Sequence, residues 1–226
     1  MKRIRFVQDN IYHIYNRGVE KRNIFMNNSD YFRFVHDLYE FNDENPAFNI
    51  YYKTPLQSYE VGPRKLLVEI LAFVLMPNHF HLLLKEISEN GISRFMQKLG
   101  GGYTMSFNQK YKRSGSLFQG KFKAILINQD SHFIHLPYYI HLNPLALIMP
   151  EWRSRAINDY KKAMEFLENY RWSSHLDYIG KQNFPSVTHR EFLLDFFGGQ
   201  EEYRKAIFQW LKDIDLEQIK PILLEK

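Results

Sequence analysis

Two short segments, sixty residues apart, hold side chains that can do chemistry together. In Met76–Leu84 (MPNHFHLLL), His79 and His81 flank Phe80; in Tyr138–Pro144 (YYIHLNP), Tyr139 stands four residues ahead of Asn143. Histidines at i and i+2 of a strand project to one face, because side chains alternate with a period of two. A tyrosine and an asparagine at i and i+4 of a helix also share a face. Docking that helix over that strand brings two imidazoles, an amide oxygen and a phenol to one point. Such a set can hold a divalent metal ion against a phosphate while the phenol attacks phosphorus. Two neutral imidazoles and a neutral amide leave the full 2+ charge for the phosphate, whereas three carboxylates would largely cancel it. A phenol ordinarily has a pKa of about 10, so Tyr139 must lose its proton during attack, and His141 and Lys123 are both candidate bases. A covalent phosphotyrosine conserves the energy of the broken bond, so that a 3′-OH can reverse the step and join strands.

Each of these residues has a plainer reading as well. His79 and His81 could be core histidines bonded to backbone, and Tyr139 a buried ring with a satisfied hydroxyl. Tyr138 and Tyr103 compete for the nucleophile's role. Tyr103 follows three glycines that would let a helix move, but no asparagine lies four residues on. Asn143-Pro144 could simply stop a helix. His13 reads as structural, and His135 and His141 fit either reading.

The elements that must position these groups follow from patterning. At 226 residues with 45% apolar and 16% aromatic side chains, the chain is long enough for one substantial folded domain and an appendage. The absence of cysteine excludes disulfides, thiolate zinc sites and cysteine nucleophiles. The basic N-terminus has no signal-peptide core, and the most apolar run, Leu66–Met76, contains Glu69 and is too short to cross a bilayer. The expectation is a cytoplasmic, nucleoid-associated protein without membrane contact. Ile11–Tyr15, Leu66–Met76, His79–Lys85 and Ser116–Ile127 read as strands, with a tight turn or bulge at Pro77-Asn78. Helices are predicted from about Asp30, capped by Asn28 or Ser29, and over Ile92 to about Lys112, loosened by Gly100-Gly101-Gly102. A further helical segment begins at an Asp130 cap and is expected to break near Leu136, with Pro137 opening a fresh turn. Glu44–Arg64 reads as a long loop. After Pro150 three helices are predicted, over Asn158–Tyr170, Thr188–Phe197 (with a Thr188-x-x-Glu191 capping box) and Glu201–Leu211.

The net charge of +5 is carried by the first 150 residues. Between Gln97 and Lys123 stand Lys98, Lys110, Lys112, Arg113, Lys121 and Lys123, with no acidic residue and with Tyr103, Phe107, Tyr111, Phe118 and Phe122 interleaved. Cations among aromatic rings suit nucleic acid, where phosphates meet the charges and unpaired bases stack on the rings. An amphipathic helix and hairpin with solvated lysines would read the same way. Arg17, Lys21 and Arg22, beside a predicted turn, could likewise grip phosphates or solvate the turn.

The His79-Phe80-His81 strand followed by Tyr139-Ile140-His141-Leu142-Asn143-Pro144 resembles the single-tyrosine transposases of the HUH endonuclease superfamily, in which a bulky apolar residue separates two histidines. It is most similar to their REP-associated tyrosine transposase branch. His13–Gly18 (HIYNRG), Val74–Leu84, Tyr103–Lys123 and Tyr170–Ser174 (YRWSS) carry the same likeness, so that it spans most of residues 11–175. In simpler insertion-sequence relatives the position of Asn143 is usually glutamine. The resemblance implies an α+β fold with a ferredoxin-like antiparallel sheet and helices on its faces. It implies a catalytic domain over residues 1–150, followed by a helical C-terminal extension over 151–226. It further implies Mg²⁺ or Mn²⁺ held by His79, His81 and Asn143, and Tyr139 as the nucleophile. The partner would be single-stranded DNA bearing a REP-like hairpin, nicked and rejoined by a monomer or homodimer. Two other functions compete: a binding module that holds structured DNA or RNA without cutting it, and a metal phosphodiesterase that uses water.

Overall fold

The computed structural model describes residues 5–45, 64–154, 157–213 and 216. Strands β1 (Ile11–Arg17), β2 (Val68–Met76), β3 (His79–Glu86) and β4 (Lys123–Ile127) form one antiparallel sheet in the order β2-β3-β1-β4. Helices cover both of its faces. Phe80, Leu82 and Leu84 of β3, with Tyr12 and Ile14 of β1, point into a core closed by α1 (Asn28–Glu40) and α2 (Gly91–Lys110). Their neighbours on β3 (His79, His81, Leu83) point to the opposite face, under α3 (Asp130–Leu142). On β2 a bulge between Ile70 and Ala72 reverses the phase, so Leu71, Ala72, Val74 and Met76 all join the α3 side. One residue inserted into a strand switches every following side chain to the other face.

Pro77-Asn78 is the two-residue turn between β2 and β3, and the Pro77 carbonyl accepts from the amides of Ile24 and Phe25 at 2.8 and 3.1 Å. α1 starts at Asn28, two residues before the expected start near Asp30: Asn27, not Asn28 or Ser29, is the cap, in a reciprocal capping box with Asp30. Two predicted breaks do not occur. α2 runs unbroken through Gly100-Gly101-Gly102. Its apolar stripe packs on α1 and the sheet, and that burial outweighs the roughly 1 kcal/mol each interior glycine costs. α3 likewise runs through Pro137. The proline forfeits a single amide bond, while Leu136 to Leu142 are all buried and hold the helix in place. β4 is shorter than predicted, because Phe118 makes only an isolated bridge to Gly18. Most of the predicted Glu44–Arg64 loop lies outside the described residues.

The segment after Pro150 is helical: a 3-10 turn over Pro150–Ser154, then α4 (Tyr160–Leu167), α5 (His175–Tyr178), α6 (Glu191–Phe197) and α7 (Gln200–Lys212). Thr188 does not cap α6. The His189 amide donates to the Ile70 carbonyl at 2.9 Å, which pins this stretch to the sheet, so the helix starts only at Glu191. Trp172–Ser174 runs beside β2: the Leu75 amide donates to the Trp172 carbonyl at 2.9 Å and the Ser174 amide to the Phe73 carbonyl at 3.0 Å. Trp172 itself enters the α1 side core, stacked on Tyr31.

Candidate active site at the histidine pair

β3 is a central strand, and its pairing with β1 sets Arg17 opposite His79 and Tyr15 opposite His81. Direct partners in an antiparallel ladder project to the same side, so Arg17, Tyr15 and His13 share the histidine face. α3 lies across that face and ends there: Tyr139 and Asn143, one turn apart at its C-terminus, are both fully buried. The His79 and His81 rings are 5.1 Å apart between centroids, and the Tyr139 ring stands edge-on to His81 at 5.8 Å. Burial, with the nearby guanidinium groups of Arg17 and Arg153, pushes His79 down to about 3, the Asn143 amide pulling slightly the other way. His81 is also held well below the ordinary histidine range by burial and the same surroundings, beginning with His13. Both imidazoles are therefore neutral at physiological pH.

Each imidazole is tied from behind through its Nδ1, and for His79 this fixes the tautomer. His79 Nδ1 lies 2.6 Å from Asn78 Oδ1, a carbonyl that can only accept, so Nδ1 carries the proton. His81 Nδ1 pairs with His13 Nε2 at 2.9 Å. The remaining nitrogens, His79 Nε2 and His81 Nε2, are buried without any hydrogen-bond partner. A buried nitrogen left bare costs about 1–3 kcal/mol, and a cation coordinated by both would recover that cost. Ligating histidines are normally tied through their other nitrogen in this way. The residues therefore fit a divalent cation, with Asn143 Oδ1 as third donor. Among the described residues there is no group of three or more histidine, cysteine, aspartate or glutamate side chains that could hold a metal ion.

Sequence reasoning missed Arg153. It comes from the 3-10 turn after Pro150, and its Nη2 donates to Asn143 Oδ1 at 3.0 Å and approaches the Tyr139 hydroxyl at 3.5 Å. Its guanidinium stacks beside Trp152, itself packed on the Tyr139 ring. The only sequence signal was an Arg next to a Trp within ten residues of Asn143. His13, read as structural, is the group that orients His81.

Other predicted residues fall elsewhere. His141 is buried between the Tyr203 hydroxyl (2.5 Å from Nδ1) and Ser174 Oγ (2.6 Å from Nε2), so both of its nitrogens are engaged by other groups than Tyr139. Lys123 is exposed, across from Tyr15 on β1. Tyr103 lies on the α1 side core, donating to the Ile24 carbonyl, and Tyr138 packs on Tyr203 and Trp210. His135 accepts from the Trp210 indole at 2.9 Å. Among the basic residues, Lys110 binds Asn27, Ser29 and Asp30 at the start of α1, and Lys98 donates to the Asp43 and Asn45 carbonyls. Arg22 pairs with Glu20 at 3.3 Å, and Arg113 lies over the Phe107 ring. Lys21, Lys112, Lys121 and Lys123 are exposed. The last two border a cavity of about 1150 Å³ between α2 and β4, lined by Phe6, Phe118 and Phe122.

Residues 60–143 match the family described as "Transposase IS200 like", and this stretch contains the histidine pair, Tyr139 and Asn143. The fold is shared with a solved REP-associated tyrosine transposase bound to a REP hairpin, at 14% identity, a TM-score of 0.53, and coverage of 83% of this chain and 89% of that one. The resemblance read from the sequence therefore stands. No curated protein matches the sequence. Among the described residues no helix is long and apolar enough to cross a membrane.

Proposed function

We propose that this protein is a single-stranded DNA transesterase that nicks and rejoins DNA beside a hairpin through a phosphotyrosine at Tyr139. The observation that carries the reading is the pair of bare, buried Nε2 atoms facing the tyrosine-bearing end of α3. His79, His81 and Asn143 would hold Mg²⁺ or Mn²⁺, which when bound supplies Lewis-acid neutralisation of the non-bridging phosphate oxygens. Tyr139 forms the new bond to phosphorus while the 3′ oxygen leaves and takes up a proton. Its ring is clamped between His81 and Trp152, which fixes the direction of attack. His141 is engaged on both nitrogens and does not serve as the base. The proton passes to solvent.

The site accounts for the tyrosine in a way that neither a pure binder nor a water-using phosphodiesterase would need. Hairpin DNA as partner rests on the structural neighbour, whose own ligand is a REP hairpin, and on the exposed Lys21, Lys112, Lys121 and Lys123. Arg17 is the member of the basic set that reaches the site. The aromatic cavity beside Lys121 and Lys123 is suited to unpaired bases.

The test uses labelled hairpin DNA with a single-stranded flank, Mn²⁺ and a denaturing gel. A protein-linked label present in wild type and absent in Tyr139→Phe is the expected result. Cleavage that survives Tyr139→Phe without a protein-linked label would establish hydrolysis by water. Retention on a native gel with no cleavage at any metal concentration would establish a binding module.

A further inference from the structure

We infer that Arg153 is a catalytic residue, whose guanidinium acts with that of Arg17 as a two-sided clamp on the scissile phosphate and reaches the attacking oxygen of Tyr139. The inference rests on the transesterase reading and adds to it a residue from outside the segment that the family match covers.

The geometry comes from two independent parts of the chain. Arg17 stands on β1 directly opposite His79, and its Nε is buried without a hydrogen-bond partner. Arg153 comes from a separate element, the 3-10 turn over Pro150–Ser154. Its Nη2 touches both the third candidate metal ligand, Asn143 Oδ1 at 3.0 Å, and the nucleophile, Tyr139 Oη at 3.5 Å. The guanidinium carbon sits 5.1 Å from the Trp152 ring centroid and 5.5 Å from that of Tyr139, which orients its plane. A planar fork of donors held this way matches two oxygens of a phosphate, which a lysine ammonium would not.

Charge supports the same assignment. Arg17 stands directly opposite His79 on the neighbouring strand, and Arg153 reaches Asn143 and Tyr139. Two guanidinium groups from separate elements thus border the site, an arrangement suited to an incoming anion. A phosphodiester enters with one negative charge and accumulates more as the phenol oxygen bonds to phosphorus, so fixed cations there act mainly on the transition state. In the step itself the Tyr139 O–H bond breaks and its proton leaves for solvent. The Oη–P bond forms, the P–O3′ bond breaks, and the 3′ oxygen is protonated; Arg153 changes no bond. The carbonyl of Asn143 has two lone pairs, so it can accept from Arg153 and still face a cation.

The experiment measures single-turnover formation of the protein–DNA adduct at saturating hairpin DNA and Mn²⁺, in wild type, Arg153→Ala, Arg153→Lys and Arg153→Met, with DNA affinity and Mn²⁺ affinity measured separately. Arg153→Ala is expected to slow adduct formation by about 10²–10³-fold, with DNA affinity changed only a few-fold, as for one lost phosphate contact. Arg153→Lys is expected to lie between wild type and Arg153→Met, and added methylguanidine to restore part of the rate of Arg153→Ala. A merely structural arginine would give neither result. The inference is overturned if Arg153→Ala reacts as fast as wild type. It is equally overturned if that variant binds Mn²⁺ more tightly and reacts faster, which would make Arg153 a plug in the metal position. Should Arg153→Ala fail to fold, Arg153→Lys is compared with Arg153→Met instead, and equal rates in those two overturn the inference. A wild-type protein that forms no adduct at all would instead remove the transesterase reading beneath it.

Discussion

His13 Nε2 and His81 Nδ1 lie 2.9 Å apart, joining β1 to β3 behind the face that α3 covers. Both rings are fully buried and nearly parallel, with centroids 5.1 Å apart. When His13 accepts, the His81 proton is locked on Nδ1 and the Nε2 lone pair faces the site. His13→Ala is therefore expected to weaken Mn²⁺ affinity about 10–100-fold, the usual cost of losing such a partner, although no ligand has been removed. Titration calorimetry on the DNA-free protein checks this; unchanged affinity would show that the packing of β3 alone orients His81.

Stability should fall in acid. His79, His81, His141 and His175 are all buried with pKa values pushed below the ordinary 6.5, His79 to about 3 and His175 to about 4, desolvation being the largest cause in each. The unfolded chain takes up protons near pH 6.5 while the folded protein does not. Their contribution is therefore complete above about pH 6.5 and is lost as pH falls toward 3–4. Each group contributes a slope of about 1.4 kcal/mol per pH unit inside that window. Urea midpoints measured between pH 7.5 and 4.5 would show it, and a flat profile would mean that these rings are solvated.

The three glycines of α2 should respond differently to a methyl group. At Gly102 a Cβ would lie 2.5 Å from the Phe41 ring, whereas at Gly100 and Gly101 it would meet nothing within 4 Å. Gly102→Ala is expected to destabilise the protein by about 1–3 kcal/mol through overpacking. Gly100→Ala and Gly101→Ala should each stabilise it, by up to about 1 kcal/mol, through helix propensity. Thermal melts of the three variants decide this, and equal effects at all three would refute the contact with Phe41.

A chain ending at Pro150 should not fold cooperatively. It would lack Trp152, which packs on Tyr139, and Trp172–Ser174, which hydrogen-bond along β2. It would also expose the apolar side of α3 that Tyr203, Ile207 and Leu211 cover. Broad melting with dye binding to exposed apolar surface is the expected outcome. A sharp transition would make residues 1–150 an independent domain.

Much of the site was legible because it is written in local periods. Alternation along β3 put His79 and His81 on one face, and a helical turn put Tyr139 above Asn143; both follow from backbone geometry whatever the tertiary fold. The order of strands and helices was legible for the same reason, whereas the placing of helices on the faces of the sheet followed from the family resemblance. The breaks expected at Gly100–Gly102 and Pro137 were not found, since intrinsic preferences of a few kcal/mol yielded to burial that neither segment reveals alone. Arg153 and His13 were beyond local reasoning. Each meets its partner through the path of the chain, His13 from a strand 68 residues before His81 and Arg153 by a turn after α3. Backbone periodicity thus settles, from the order of residues alone, which side chains can share a face. Which faces meet is a matter for the folded chain, because it depends on the bulge in β2, the crossing of α3 and the docking of the C-terminal helices, all fixed by packing among residues far apart in sequence.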